Sequence, residues 1–238
     1  NISADEFEDL DAESGVSDVS ITDGKDNKEN EDNKENKAEW DKSQKKLEAN
    51  RRYIAACTEK MAGSAGEECL KSRGFNVETI KRFNLGYHES KNAVVIPYPD
   101  TAYYVTRSIE DKAYRKPKGM GEPLFVTGNP GFGTLYITEG QLDAISLSQA
   151  GANAVIALGG AGYAKLENIR KPKRAVIVRD NDEPGEQTAN NAAKVLKDKG
   201  VPFIIVSPPD GFKDSNDVLK GERDGSAAPG TLSSLVSS

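Results

Sequence analysis

Between residues 134 and 220, short apolar runs alternate with polar, helix-patterned runs, and this alternation limits the possible folds more than any other feature of the chain. The apolar runs are TLYIT, NAVIAL, RAVIVRD and PFIIVSP; the runs that follow them are LDAISLSQAG, YAKLENIR, GEQTANNAAKVLKDKG and KDSNDVLK. A strand that is apolar at every position, rather than at every second one, must be buried on both faces, and intervening helices supply that cover. The expected fold class is therefore α/β: a Rossmann-like, mostly parallel sheet with helices on both faces. Gly151 and Gly200 stand where the first and third helices should close.

In open parallel sheets the functional crevice lies beyond the carboxyl ends of the strands. Acidic residues stand at three such ends: Glu139 after LYIT, Asp180 and Asp182 after AVIV, and Asp214 and Asp217 after FIIV. Asp143 falls in the first turn of the helix after Glu139, where the helix dipole favours an anion. Gly140 predicts a tight turn behind Glu139. Any one of these acids would serve as a helix cap. Three loci converging would repel one another and call for a cation. Hard oxygen donors select Mg²⁺ or Mn²⁺, and such a centre suits phosphoryl or nucleotidyl transfer.

The rest of the chain reads differently. Residues 1–40 hold 14 Asp or Glu against 4 Lys and too few apolar residues to drive collapse, so residues 1–45 are expected to form a disordered acidic linker. Without residues 1–40 the formal charge of −6 becomes about +4, so the acidic pI belongs to the tail and the body is mildly basic. Residues 46–130 predict a smaller α+β subdomain: helices up to about residue 83, then hairpins rich in Val, Ile, Tyr and Thr through AVVIPYPDTAYYVTRSIEDKAYRKPKGMGEPLFVTG. Residues 131–222 form the α/β unit, and the small, polar residues 223–238 predict a flexible tail.

Cys57 and Cys69 have no C-x-x-C partner, and His88 is the single histidine, so neither a zinc ribbon nor a histidine-based triad is indicated. No apolar run approaches the ~20 residues that span a bilayer, so no membrane partner is expected and the chain should be cytoplasmic. The start at Asn1 without a methionine suggests a piece of a longer protein.

The segments YITEGQLDAISLSQAGANAVIALGGAG, AVIVRDNDEPGEQTANNAAKVL and GFKDSNDVL together resemble the TOPRIM domain shared by DnaG-type primases, topoisomerases and some nucleases. The pattern is E-G-x-x-D-A after the first strand, a Gly-rich turn after the second, D-x-D with a following glycine after the third, and K-D-x-x-D after the fourth. Upstream, CLKSRGFNVETIKRFNLGYH, AVVIPYPDTAYYVTRSI and AYRKPKGMGEPLF look like the segment that precedes TOPRIM in DnaG-type primases, phage and mobile-element forms included.

The resemblance implies a primase catalytic core making short RNA primers from nucleoside triphosphates on a single-stranded DNA template, with a replicative helicase fused or separate. It implies Glu139, Asp180 and Asp182 as catalytic metal ligands, with Asp143, Asp214 and Asp217 shaping or joining the site. Arg107, Arg115, Lys116 and Lys118 would face template or nucleotide phosphates, and Lys213 would contact phosphate. Ala113 stands where the chromosomal enzymes carry a lysine. A TOPRIM nuclease and a non-catalytic binding module are the alternative readings.

Overall fold

The computed structural model of the chain describes residues 25–159 and 161–237. The segment 1–24, part of the expected acidic linker, lies outside the described residues. The chain opens with helix α1, Lys25–Glu59. This corrects the linker expectation for residues 25–45. Apolar content decides whether a segment collapses, but a helix needs only its own hydrogen bonds once nucleated. The C-terminal half of α1 supplies the anchor. Tyr53 and Cys57 are buried against Val95, and Asn50 donates from Nδ2 to Ala102 O at 3.0 Å. No glycine or proline interrupts the helix on its way back to Lys25.

Two short helices follow, each started by a side-chain cap. Ser64 accepts from Glu67 N at the start of α2 (Ala65–Ser72), and Asn76 accepts from Thr79 N at the start of α3 (Val77–Arg82). A four-stranded antiparallel sheet then forms in chain order: β1 (Gly86–His88), β2 (Ala93–Pro97), β3 (Tyr104–Ser108) and β4 (Tyr114–Arg115).

The second sheet contains β5 (Phe125–Thr127), β6 (Thr134–Thr138), β7 (Val155–Ala157), β8 (Arg174–Val178) and β9 (Phe203–Val206), in the order β5-β7-β6-β8-β9. All its pairings are parallel except β5 with β7. The sequence reading left PLFVTG among the hairpins. Phe125 instead pairs with Ala157 and is fully buried, so β5 is an antiparallel edge of the α/β sheet.

Helices cover both faces of β6, β7 and β8, as continuous apolar strands require, whereas the edge strand β9 departs from that expectation and leaves Ile204 and Ile205 exposed. On one face Leu135, Ile137, Ile156, Ala175 and Ile177 meet Ala189, Ala192 and Leu196 of α5 (Glu183–Asp198) and Leu166 of a 3₁₀ helix, Ala161–Asn168. On the other, Tyr136, Val155, Val176 and Val178 meet α4 (Gln141–Gln149) through Ala144, Ile145 and Leu147, and α6 (Ser215–Asp224) through Val218 and Leu219. Val94, Ile96 and Val105 of the first sheet belong to that same core, so the two sheets share one apolar interior. Each such side chain contributes roughly 1.5–3 kcal/mol on burial.

The expected flexible tail is also folded. Gly225 closes α6 in the left-handed region at φ 84, and α7 (Thr231–Val236) returns to the sheet. Leu232 is fully buried, its amide donates to Glu222 Oε1 at 2.6 Å, and the Tyr136 hydroxyl donates to Val236 O. A few apolar anchors in a small, polar segment suffice to fix it.

Candidate active site

The carboxyl ends of β6, β8 and β9 present the acidic residues on one rim of the second sheet. Glu139 follows β6 directly. Its neighbour Gly140 is extended (φ −100, ψ 155) and is not the tight turn expected there. A Cβ at Gly140 would lie 2.6 Å from Asp143 Oδ2, so glycine is required there by the closeness of that carboxylate. After β8, Asp182 caps α5 by accepting from Gly185 N at 2.8 Å. A Cβ on Gly185 would lie 2.7 Å from both Cβ and O of Asp180, which accounts for the glycine in DNDEPG. After β9, Asp214 caps α6 by accepting from Asp217 N at 2.7 Å, while Asp217 Oδ2 accepts from Lys213 N at 3.2 Å. Asp182, Asp214 and Asp217 thus also do the work of ordinary helix starts.

Mutual crowding sets their electrostatics. Burial pushes Asp180 up to about 7, helped by the charges of Asp214, Glu139 and Asp182 and opposed by Lys213. Burial and Asp182 also raise Glu139, again against Lys213. Asp143, 8% exposed, is held well above the usual carboxylate range by burial, by Asp214 and by Asp180. Its Oδ1 accepts from Asn216 N at 2.9 Å, which works in the opposite direction. Asp182 is the exception. The Gly185 amide and Lys213, whose Nζ is 3.0 Å from Asp182 Oδ2, hold it below the usual range. Lys213 is raised in return by the same ion pair. Glu139 and Asp180 line one small cavity with Thr138, Arg179 and Gly185.

Among the described residues, no three acidic, histidine or cysteine side chains already surround one point as a finished metal cage would. The donor set nonetheless fits a hard divalent cation. Glu139 Oε2 is buried with no hydrogen-bond partner, and beside it Asp180 resists ionising for want of positive charge. Lys213 supplies a single charge at the Asp182 side.

The facing wall comes from the first sheet. Arg107 on β3 pairs with Tyr114 on β4, and Thr106 pairs with Arg115. Directly opposed residues share a face and successive ones alternate, so Arg107 and Tyr114 point one way and Arg115 the other. Arg107 is 7% exposed and lies 5.8 Å from the centre of the Tyr114 ring. The Tyr114 ring is half-exposed, and its electrostatic neighbours are Arg107, Asp143 and Arg73. That face therefore lies on the Asp143 side of the molecule. Arg115 lies on the opposite face, exposed and 3.9 Å from Asp111. Lys116 reaches Glu122 Oε2 at 2.5 Å, and Lys118 is exposed. Of the basic residues picked from sequence, Lys213 is brought to the acids, while Arg107 and Arg115 are turned to opposite faces of the first sheet.

Several site residues escaped the sequence reading. Arg73, at the end of α2, donates to Asn216 Oδ1 at 2.5 Å, and Asn216 Nδ2 donates to Ser146 Oγ at 3.1 Å. Through Asn216 the arginine is coupled to Asp143. Glu122 joins the two halves of the chain. Its Oε1 accepts from the Tyr98 hydroxyl at 2.6 Å, Tyr98 accepts from Gln141 Nε2 at 2.8 Å, and Glu122 O accepts from Lys165 Nζ at 2.5 Å. Burial and Glu122 raise Tyr98 far above the normal phenol range. Glu122 Oε1 also lies 3.2 Å from where a Cβ of Gly159 would be, and Gly159 N donates to Glu139 O. The available signal was that Glu122 is the one acid between Lys112 and Thr138.

Comparison with known proteins agrees with this geometry. A family model described as Toprim-like matches residues 136–219. The chain is 25% identical to a DNA primase of Clostridium acetobutylicum over 216 residues, covering 67% of this chain and 36% of that protein. It is 33% identical to the DNA primase DnaG of Thermofilum pendens over 104 residues, 43% of this chain and 23% of that one. The chain thus spans about a third or less of the curated relatives it matches. Among solved structures, a DnaG catalytic core superposes with a TM-score of 0.60 at 16% identity, over 74% of this chain and 76% of that one. A DnaG primase catalytic domain bound to single-stranded DNA gives 0.60 at 18% identity, over 76% and 78%. The zinc-binding and RNA polymerase domains of the Aquifex aeolicus primase give 0.57 at 22% identity, over 80% and 61%. At these identities the likeness is one of fold.

Proposed function

From a Toprim-like domain set within the fold of a DnaG-type primase core, we propose that this chain catalyses the synthesis of short RNA primers from nucleoside triphosphates on single-stranded DNA. The observation that carries the reading is the meeting of two walls. Carboxylates from three strand ends crowd one rim, with Glu139 Oε2 left unpartnered, and the Arg107–Tyr114 face lies on the Asp143 side of it. Glu139, Asp180 and Asp182 would hold Mg²⁺ or Mn²⁺, with Asp143, Asp214 and Asp217 behind them. When bound, such an ion stabilises the charge on the attacking and leaving oxygens of an in-line displacement.

The protein's own side chains divide the remaining work. Arg107, nearly buried and backed by the Tyr114 ring, offers its guanidinium to phosphate oxygens with little conformational freedom left to lose. Arg73 is fixed by Asn216, which gives that wall a second guanidinium at a set place. Glu122 steers Lys116 to the rim beside the turn after β7. Lys213 neutralises Asp182 and would exchange that partner for a triphosphate oxygen. No helix among the described residues is long and apolar enough to cross a membrane. A replicative helicase, fused or separate, would be the partner of such an activity.

The test is an incubation with single-stranded DNA, labelled nucleoside triphosphates and Mg²⁺ or Mn²⁺, with products resolved by length. Template-dependent oligoribonucleotides, lost by roughly 100-fold or more in Asp180→Asn, are expected. Strand scission without synthesis would establish a TOPRIM nuclease instead.

A further inference from the structure

The other end of the second sheet carries a surface of a different kind. Between β5 and β6 the turn NPGFG, residues 129–133, ends in Phe132, which is 80% exposed, the most exposed large apolar side chain among the described residues. Glycines flank it on both sides. Against this turn lies the run RKPKR, residues 170–174, leading into β8. The stem of Arg170 crosses Gly131 so closely that a Cβ there would meet Arg170 Cδ at 2.3 Å. Lys173 N donates to Gly133 O at 3.2 Å, and Arg174 Nε donates to Thr134 Oγ1 at 2.7 Å. Pro172 is buried and pins the run, while Arg170, Lys171, Lys173 and Arg174 are exposed. Among the described residues none of these four cations forms an ion pair with a carboxylate.

Four uncompensated cations around one protruding ring need a ligand that is anionic along its length and flat at intervals. A lipid surface would call for a broader apolar face than one phenyl ring, and an acidic peptide gives the ring nothing to stack on. We propose that Phe132, Arg170, Lys171 and Lys173 form a second contact site for single-stranded nucleic acid, with Phe132 stacked on a base and the cations on the flanking phosphates. The site stands apart from the carboxylate rim by the length of β6 and β8, five residues each or ~16 Å at ~3.3 Å per residue. A strand held at both ends would run along the protein rather than touch it once. The identity of that strand as a template rests on the function proposed above; the chemistry of the site does not.

The experiment measures binding of a fluorescent deoxythymidine oligomer longer than ~16 nucleotides to the full chain in EDTA, across a salt series. Phe132→Ala should weaken binding roughly 5- to 150-fold, the range for removing one stacking partner. Phe132→Trp should keep the affinity and show its own indole quenching on binding, measured against the Trp40 background. Replacing Arg170, Lys171 and Lys173 together by alanine should reduce the slope of log affinity against log salt by roughly 2, at ~0.7 per phosphate. Unchanged affinity and slope in all three variants would overturn the site. So would variants that keep their affinity for DNA but lose it for polyglutamate or anionic vesicles. Because no metal is present, the outcome is separable from catalysis: primers made with unaltered binding would sink this site alone, and altered binding without primers would sink the function alone.

Discussion

Replacing Asp180 by asparagine should stabilise the metal-free protein, and by an amount that depends on pH. Asp180 is pushed from 3.8 up to about 7 by burial and by Asp214, Glu139 and Asp182, and no hydrogen bond to its side chain offsets this. A carboxyl whose proton is held more tightly in the folded state costs nothing well below pH 4, where folded and unfolded chains are both protonated. As pH rises from about 4 to about 7, the unfolded chain releases the proton while the folded chain keeps it, so stability falls. At 1.36 kcal/mol per tenfold change in proton affinity, the full penalty above pH 7 is about 4 kcal/mol. Asparagine has no such proton. Urea denaturation in EDTA should therefore find Asp180→Asn more stable by up to about 4 kcal/mol at pH 8 and by less than half of that at pH 5. Mn²⁺ should narrow the difference and then close it, because a ligand stabilises only the protein that binds it, by about 2.7 kcal/mol at a hundredfold and about 4.1 kcal/mol at a thousandfold excess over Kd. A variant that is neutral or less stable at pH 8, or equally stabilised at both pH values, would refute the claim that these carboxylates repel one another.

The remaining expectations concern the two walls and the supports behind them. Glu122→Ala strips the buried Tyr98 hydroxyl of its acceptor and should lower stability by about 1–3 kcal/mol in thermal melts; Glu122→Gln, which can still accept from Tyr98, should lose less. Leu232→Ala empties a fully buried position under α7 and should cost about 2–5 kcal/mol, against almost nothing if residues 223–238 were an unattached tail. Arg107→Ala should flatten the salt dependence of single-stranded DNA binding by roughly 0.7 and Arg115→Ala should not, since the register turns Arg115 to the opposite face.

That last contrast marks where the sequence stopped being informative. The parallel core was legible because four uninterrupted apolar strands admit few arrangements, and the acids at three strand ends followed from it. Whether Arg107 and Arg115 share a face depends on the register across the β3–β4 turn, where Lys112 adopts φ 59; one residue of slip would reverse the answer. Strand β5 was misassigned because three residues carry too little pattern to identify their sheet. The N-terminal part of helix α1, up to residue 45, was missed because a lack of apolar residues argues against collapse, not against a helix anchored at its far end. Arg73, Asn216 and Glu122 act through contacts with residues 143, 73 and 24 positions away, Arg73 to Asn216, Asn216 to Asp143 and Glu122 to Tyr98, so neither periodicity nor local spacing points to them. Asp143 was legible as a first-turn anion, but its burial and its bond from Asn216 N are tertiary events.

The central claim is that Glu139, Asp180 and Asp182 close on a single divalent cation. Crystals soaked in Mn²⁺, with data collected at the manganese absorption edge, locate the ion directly. The expected result is one strong anomalous peak at the carboxyl ends of β6 and β8, with oxygens of Glu139 and Asp180 at roughly 2.0–2.2 Å, and its loss in Asp180→Asn. No peak at that rim, or a peak bound by neither residue, would contradict it.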